Sequence, residues 1–269
     1  MSSIYLLRVG APFIVGLLQI GLAVAIWRRK GGRDASNRLF ALAILSIAVW
    51  AFAIALWDAS PLIGFVDFSS TLAYFSASFI PYFFLLFTLN FPAERLRIPK
   101  KELFILTIPL IITLLFVLTP YQVIREGGGN VYVDPVLVPA GGYSTYGLFI
   151  VGYFLFAFSQ LFRKYRSVKG VFRTQAKHIL WGMAFPTCVG ITADLFFPVF
   201  VSSNYFWVGI IATLWLFITV THSMRTQRLF DLKILEYQGK LLALVKPEEA
   251  KHFHLRNRPL PSVAGEVTL

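Results

Sequence analysis

The chain predicts an all-α membrane protein: a seven-transmembrane helix bundle with its N-terminus outside and its C-terminus in the cytoplasm. Two observations carry this. Of 269 residues, 57% are hydrophobic and 14% charged, with 27 Phe and a mean hydropathy of +0.69. Soluble domains carry roughly 25% charged residues, so this composition belongs to the bilayer. The second observation is the placement of charge. Of 25 Lys and Arg, 15 fall in the segments 28–38, 95–101 and 163–177, and eight follow residue 224. Apolar runs long enough to cross a bilayer separate these clusters, and such alternation is the positive-inside pattern. The net charge of +12 therefore sets orientation and does not imply nucleic-acid binding, which needs a basic face in water. Cys188 is the single cysteine, so the chain builds no internal disulfide and no Cys-based metal site.

The expected spans follow in order. The first covers about 4–27. Ala23-Val24-Ala25 mimics a signal-peptide cleavage site, but Arg28, Arg29 and Lys30 follow the apolar run instead of preceding it. The helix is thus expected to stay uncleaved, N-terminus out. The second runs over 39–57 and ends at Asp58, Ser60 and Pro61. The third covers 71–91, contains Pro81 and closes at Asn90-Phe91-Pro92. The fourth covers 103–119, with Pro109 inside. Between the fourth and fifth, Val131-Tyr-Val133 and Val136-Leu-Val138 flank Asp134-Pro135, which predicts a small outer β-hairpin over the bundle mouth. The last three spans are expected over 146–162, 179–197 and 205–222, the sixth containing Pro186. Each apolar run suits a hydrocarbon core about 30 Å thick at about 1.5 Å per residue. Trp27, Trp57, Tyr146 and Tyr205 fall near the span ends, where an aromatic belt is expected. Residues 1–224 thus form one seven-helix domain. Residues 225–269 form a cytoplasmic linker and short tail, with a helix beginning near Pro247.

Little of this points to catalysis. His178 and His222 sit at inner span ends, where a structural role is the simpler reading, and His252 and His254 lie in the tail. Gly127-Gly128-Gly129 is not followed by the Lys-Ser/Thr of a phosphate loop. No cofactor is expected. Asp194 is the one carboxylate inside a spanning run, and intramembrane acids are expensive. Two readings stand: an interfacial acid hydrogen-bonded near the outer end of the sixth span, or a polar anchor in an outward-facing ligand pocket. Asp194, Tyr74 and Trp207 are the candidate ligand-binding residues. The last span contains no Lys for a retinal Schiff base. The third is not followed by the acidic-Arg-aromatic triplet of receptors coupled to G proteins.

Three stretches carry a family resemblance. Asn37-Arg38-Leu39-Phe40-Ala41 leads to Ala48-Val49-Trp50. Phe79-Ile80-Pro81-Tyr82-Phe83-Phe84 continues to Asn90-Phe91-Pro92. Arg225-Thr226-Gln227-Arg228-Leu229-Phe230-Asp231-Leu232 follows the last span. In order and spacing these resemble the N-terminal seven-transmembrane sensor region of bacterial histidine kinases, over about residues 10–235, with one extra residue between the two arginines of the exit motif. The resemblance implies a sensor whose last helix drives a cytoplasmic kinase or other output module through Arg225, Arg228, Leu229, Phe230 and Asp231. It also implies residence in the bacterial inner membrane. Residues 236–269 are too few for kinase domains, so no enzymatic activity is expected of the chain itself. His254-Leu255-Arg256-Asn257-Arg258-Pro259-Leu260 echoes a phosphoacceptor box but lacks the acidic residue after His. The partners expected are the lipid bilayer, a kinase or other output module, and a second copy of the chain. The competing function is a small transporter or channel, for which Gln19, Gln160 and Asp194 are the available polar residues.

Overall fold

The computed structural model describes residues 3–28, 35–63, 66–93, 96, 98–118, 124–126, 137–139, 142–168, 170–200 and 205–226. The chain divides into two compact units, Met1–Asp231 and Leu232–Leu269, and the described residues all belong to the first.

Seven helices are long and apolar enough to cross a membrane. They are α1 (Ser3–Arg28), α2 (Ala35–Ile63), α3 (Val66–Asn90), α4 (Lys100–Leu118), α5 (Tyr143–Ser167), α6 and α7 (Phe206–Thr226). The sixth is composite: Gly170–Ile191 is α-helical, Thr192–Phe196 forms a π-helical turn, and Phe197–Phe200 adds a last α-helical turn. Helices are the natural outcome, because hydrocarbon offers backbone amides and carbonyls no partner outside their own segment. Most helices outrun the apolar stretches that announce them. α2 continues past Trp57 to Ile63, and α6 begins at Gly170, nine residues before its apolar run. Polar residues at these ends leave the apolar core without breaking the hydrogen-bond ladder.

Within this unit α1, α2, α3, α5, α6 and α7 form a closed ring, each packing on the next and α7 returning to α1. α2 also touches α7 across the ring. It can meet three neighbours because Ala41, Ala43, Ala51 and Ala53 are buried, and small side chains let backbones approach. α4 lies outside the ring against α3 and α5. The Tyr82 hydroxyl is paired with Thr107 Oγ1 at 2.9 Å, and the Tyr153 hydroxyl donates to the Leu106 carbonyl at 2.6 Å. The opposite side of α4 exposes Phe104, Ile105, Ile108, Ile111, Ile112 and Leu115, a lipid-facing stripe.

Between α4 and α5, β1 (Ile124–Glu126) pairs antiparallel with β2 (Leu137–Pro139). The expected strand at 131–133 lies outside the described residues, and the paired segments stand farther apart in sequence than a turn at Asp134-Pro135 would place them.

The ends of the bundle differ. At the end bearing the N-terminus, Arg8 of α1 is ion-paired with Asp58 of α2 at 2.7 Å. At the other end, two of the stretches that carry the family resemblance meet. Ser36 donates to the Ala93 carbonyl at 2.7 Å, and Asn90 Nδ2 donates to Ser36 Oγ at 3.1 Å. Lys164 Nζ reaches across from α5 to the carbonyls of Leu89, at 2.8 Å, and Phe91. These carbonyls belong to the last turn of α3 and just beyond, where a helix leaves acceptors unsatisfied and favours a cation. Phe40 packs on Phe87 with ring centroids 4.8 Å apart, and Phe87 packs on Phe91.

Two aromatic-belt expectations need correcting. Trp57 is buried, its ring 5.1 Å from Phe206, and Tyr146 is also buried. Position along a span does not tell which way a side chain points around it, and these two point inward. Trp27 and Tyr205 are exposed.

Candidate ligand-binding cavity and output helix

A cavity lies inside the ring, walled by α2, α3, α5, α6 and α7. The space open to the centre of a water-sized sphere is about 90 Å³, so the cavity suits a compact molecule. Its lining is mostly apolar and aromatic, with Trp50 from α2, Tyr74 from α3, Tyr146 and Phe154 from α5, and Phe206 from α7. From α6 come Pro186, Thr187, Gly190 and Asp194.

The structure thus brings two of the three candidate ligand residues, Asp194 and Tyr74, to one cavity. Trp207 is half-buried on α7 and is not among the lining residues; its neighbour Phe206 is. Helical geometry turns consecutive side chains by about 100°, so only one of such a pair faces inward.

Asp194 sits in the π-helical turn of α6. Such turns shift backbone partners from i−4 to i−5 and recur at functional sites. The Tyr143 hydroxyl of α5 donates to the Leu195 carbonyl at 2.6 Å, with the Asp194 carbonyl 3.2 Å away. Tyr143 therefore supports the turn through its backbone and leaves the carboxylate alone. Oδ1 of Asp194 is buried without a hydrogen-bond partner among the described residues, as is the Tyr74 hydroxyl. Tyr74 and Tyr146 meet edge to face, ring centroids 5.0 Å apart.

The other carboxylate oxygen bears on α7. A Cβ added at Gly209 would stand 3.0 Å from Asp194 Oδ2, 3.2 Å from Gly190 Cα and 3.3 Å from Trp50 Cη2. α6 and α7 thus cross glycine against glycine beside the acid. One side chain larger than hydrogen at Gly209 would force the acid, the helices or Trp50 to move. Farther along the same helix pair, a Cβ at Gly182 would meet Thr219 Oγ1 at 2.7 Å. α7 is held on its other side by Gln19 of α1, whose Nε2 donates to the Thr213 carbonyl at 3.0 Å and lies 3.2 Å from Thr213 Oγ1.

Tyr143, Gly190 and Gly209 did not stand out in the sequence, and Tyr146 stood out only as a belt residue. Facing glycines on two adjacent spans are the signal that could have found the crossing. Of the polar residues considered for a transport path, Gln19 is spent on α7, and neither Gln19 nor Gln160 lines the cavity. The side chains of Arg225, Arg228, Leu229, Phe230 and Asp231 lie outside the described residues, as does the tail with His254.

The family model for the N-terminal 7TM region of histidine kinase matches residues 11–233. The chain belongs to that family. No curated protein and no solved structure matches it. The match spans all seven helices of the sensor region and reaches past α7 into the exit stretch, and no kinase domain is identified in the chain. The family implies coupling of this region to a kinase module, and α7 is the last of the seven spans. The cavity of the sensor region shares three wall residues with that helix: Phe206, Thr213 and Leu216.

Proposed function

We propose that the chain is a sensor of the bacterial inner membrane, N-terminus outside, that binds a small molecule in this cavity. It passes the resulting change through α7 and the stretch Arg225–Asp231 to a cytoplasmic kinase or other output module. One observation carries the reading: the acid on the cavity wall, Asp194, packs against Gly209 of the helix that leads to the exit stretch. A molecule that draws the carboxylate toward itself relieves or tightens that crossing, and a ligand shifts an equilibrium only by contacts that differ between the two states. Asp194 and Tyr74 would hold the ligand, and Trp207 would act from outside the cavity by setting how α7 packs. Arg225, Arg228, Leu229, Phe230 and Asp231 would form the output contact, with a second copy of the chain providing the dimer on which paired kinase modules act.

The test joins the chain through Leu235 to a histidine-kinase module and measures autophosphorylation in proteoliposomes. Asp194→Leu is expected to change the basal rate at least about fivefold, a coupling of roughly 1 kcal/mol, the lower end of the usual allosteric range. Leu148→Ala, on the exposed side of α5, is expected to leave it unchanged. Equal rates in wild type and Asp194→Leu would sink the reading.

A further inference from the structure

The geometry points to a protonated amine with a compact apolar body as the molecule this cavity takes, an inference that rests on the sensor reading and narrows it. Two features of the wall define the class. Among the described residues the lining contains a carboxylate but no Lys, Arg or His. Asp194 Oδ1 and the Tyr74 hydroxyl are buried without hydrogen-bond partners among the described residues. A buried carboxylate without a counter-charge is costly, and the cost is removed by a cation that also donates hydrogen bonds. An ammonium group has three donors, enough to serve both Asp194 and Tyr74. Around them stand Trp50, Tyr146 and Phe206, whose π faces attract a cation at short range and whose edges and walls accept an apolar body.

The same wall tells what is rejected. An amino acid brings a carboxylate that would find no basic partner among the described lining residues and would be repelled by Asp194. A neutral alcohol fills the space and donates one hydrogen bond but does not neutralise the acid. The site therefore distinguishes an amine from the amino acid that differs from it by one carboxylate.

Three probes of one shape test this on the full chain in phosphatidylcholine nanodiscs, with empty nanodiscs as the blank: phenethylamine, 2-phenylethanol and phenylalanine. Binding is followed by calorimetry and by tryptophan fluorescence. Phenethylamine is expected to saturate and to bind at least about tenfold more tightly than either analogue, the scale of one charge-assisted hydrogen bond with aromatic contacts. Asp194→Asn, which keeps the shape and removes the charge, is expected to cost the amine about tenfold and leave the alcohol within about twofold. The wild-type series decides by itself if that variant fails to fold. The inference is overturned if phenethylamine does not saturate, if either analogue binds as tightly, or if a folded Asp194→Asn binds the amine unchanged. Amine binding without any change in the fused kinase would support the site and sink the sensor reading. Absent amine binding alongside an altered kinase rate in Asp194→Leu would overturn the amine and spare the sensor.

Discussion

Two sets of buried polar groups in the bundle are handled in opposite ways. At the end distal to the N-terminus, Ser36, Asn90 and Lys164 bond to one another or to the carbonyls of Leu89, Phe91 and Ala93, tying α2, α3 and α5 together. In the half nearer the N-terminus, Asp194 and Tyr74 line a cavity, and Asp194 Oδ1 and the Tyr74 hydroxyl bond to nothing described. A saturated cluster holds a fixed arrangement, because breaking any member strands the others. Unsaturated groups beside a void leave binding energy to an incoming molecule. One cluster is built to stay, and the other to be completed.

Substitutions can break that contrast. The largest effect is expected where the open half meets α7. Gly209→Val drives a side chain into Asp194, Gly190 and Trp50 and is expected to cost about 1–3 kcal/mol, read as a lower melting temperature and loss of a monodisperse peak in detergent. Gly147→Ala, with nothing within 4 Å of the added carbon, is the matched control and should melt like wild type.

The saturated cluster comes next. Asn90→Ala removes the amide that donates to Ser36 Oγ and is expected to destabilise by about 1–3 kcal/mol by thermal unfolding, while amine binding at the far end stays unchanged. Equal stability would show that the cluster does not hold the three helices. Gln19→Leu, which frees α7 from α1 at Thr213, is expected to cost about 0.6–1.7 kcal/mol, the usual size of hydrogen bonds between membrane helices. The smallest effect is expected at Tyr74→Phe. It removes a hydroxyl that bonds to nothing described, so unfolding should shift by less than about 0.5 kcal/mol either way, while amine affinity falls. A large destabilisation there would show that the open half is not open.

The seven spans were legible because bilayer thickness sets a minimum run length, and every run in this chain meets it. The helix ends were not, since a helix continues past the hydrocarbon wherever its own amides find partners; α6 does so from Gly170. Asp194 was legible for the opposite reason, as a residue whose cost in an apolar run demands an explanation. Its surroundings were hidden. Helices that are apolar on nearly every side mark no inward face, so nothing along the chain told that Trp57 and Tyr146 point inward or that Trp207 does not line the cavity while Phe206 does. The π-helical turn was invisible too. It depends on Tyr143, fifty-one residues earlier than Asp194, offering its hydroxyl to freed carbonyls.

The bond from Gln19 to Thr213 carries a consequence for synthesis. It joins residues 194 positions apart and closes the ring between the first helix to leave the ribosome and the last. Until α7 is inserted, the carboxamide of Gln19 has no Thr213 to meet, and the cavity lacks the wall made by Phe206, Thr213 and Leu216. The cavity wall is thus complete only once α7 is in place. Without α7 the buried carboxamide of Gln19 would lose its hydrogen-bond partner at Thr213, and α1 would carry an unpaired amide inside an apolar span.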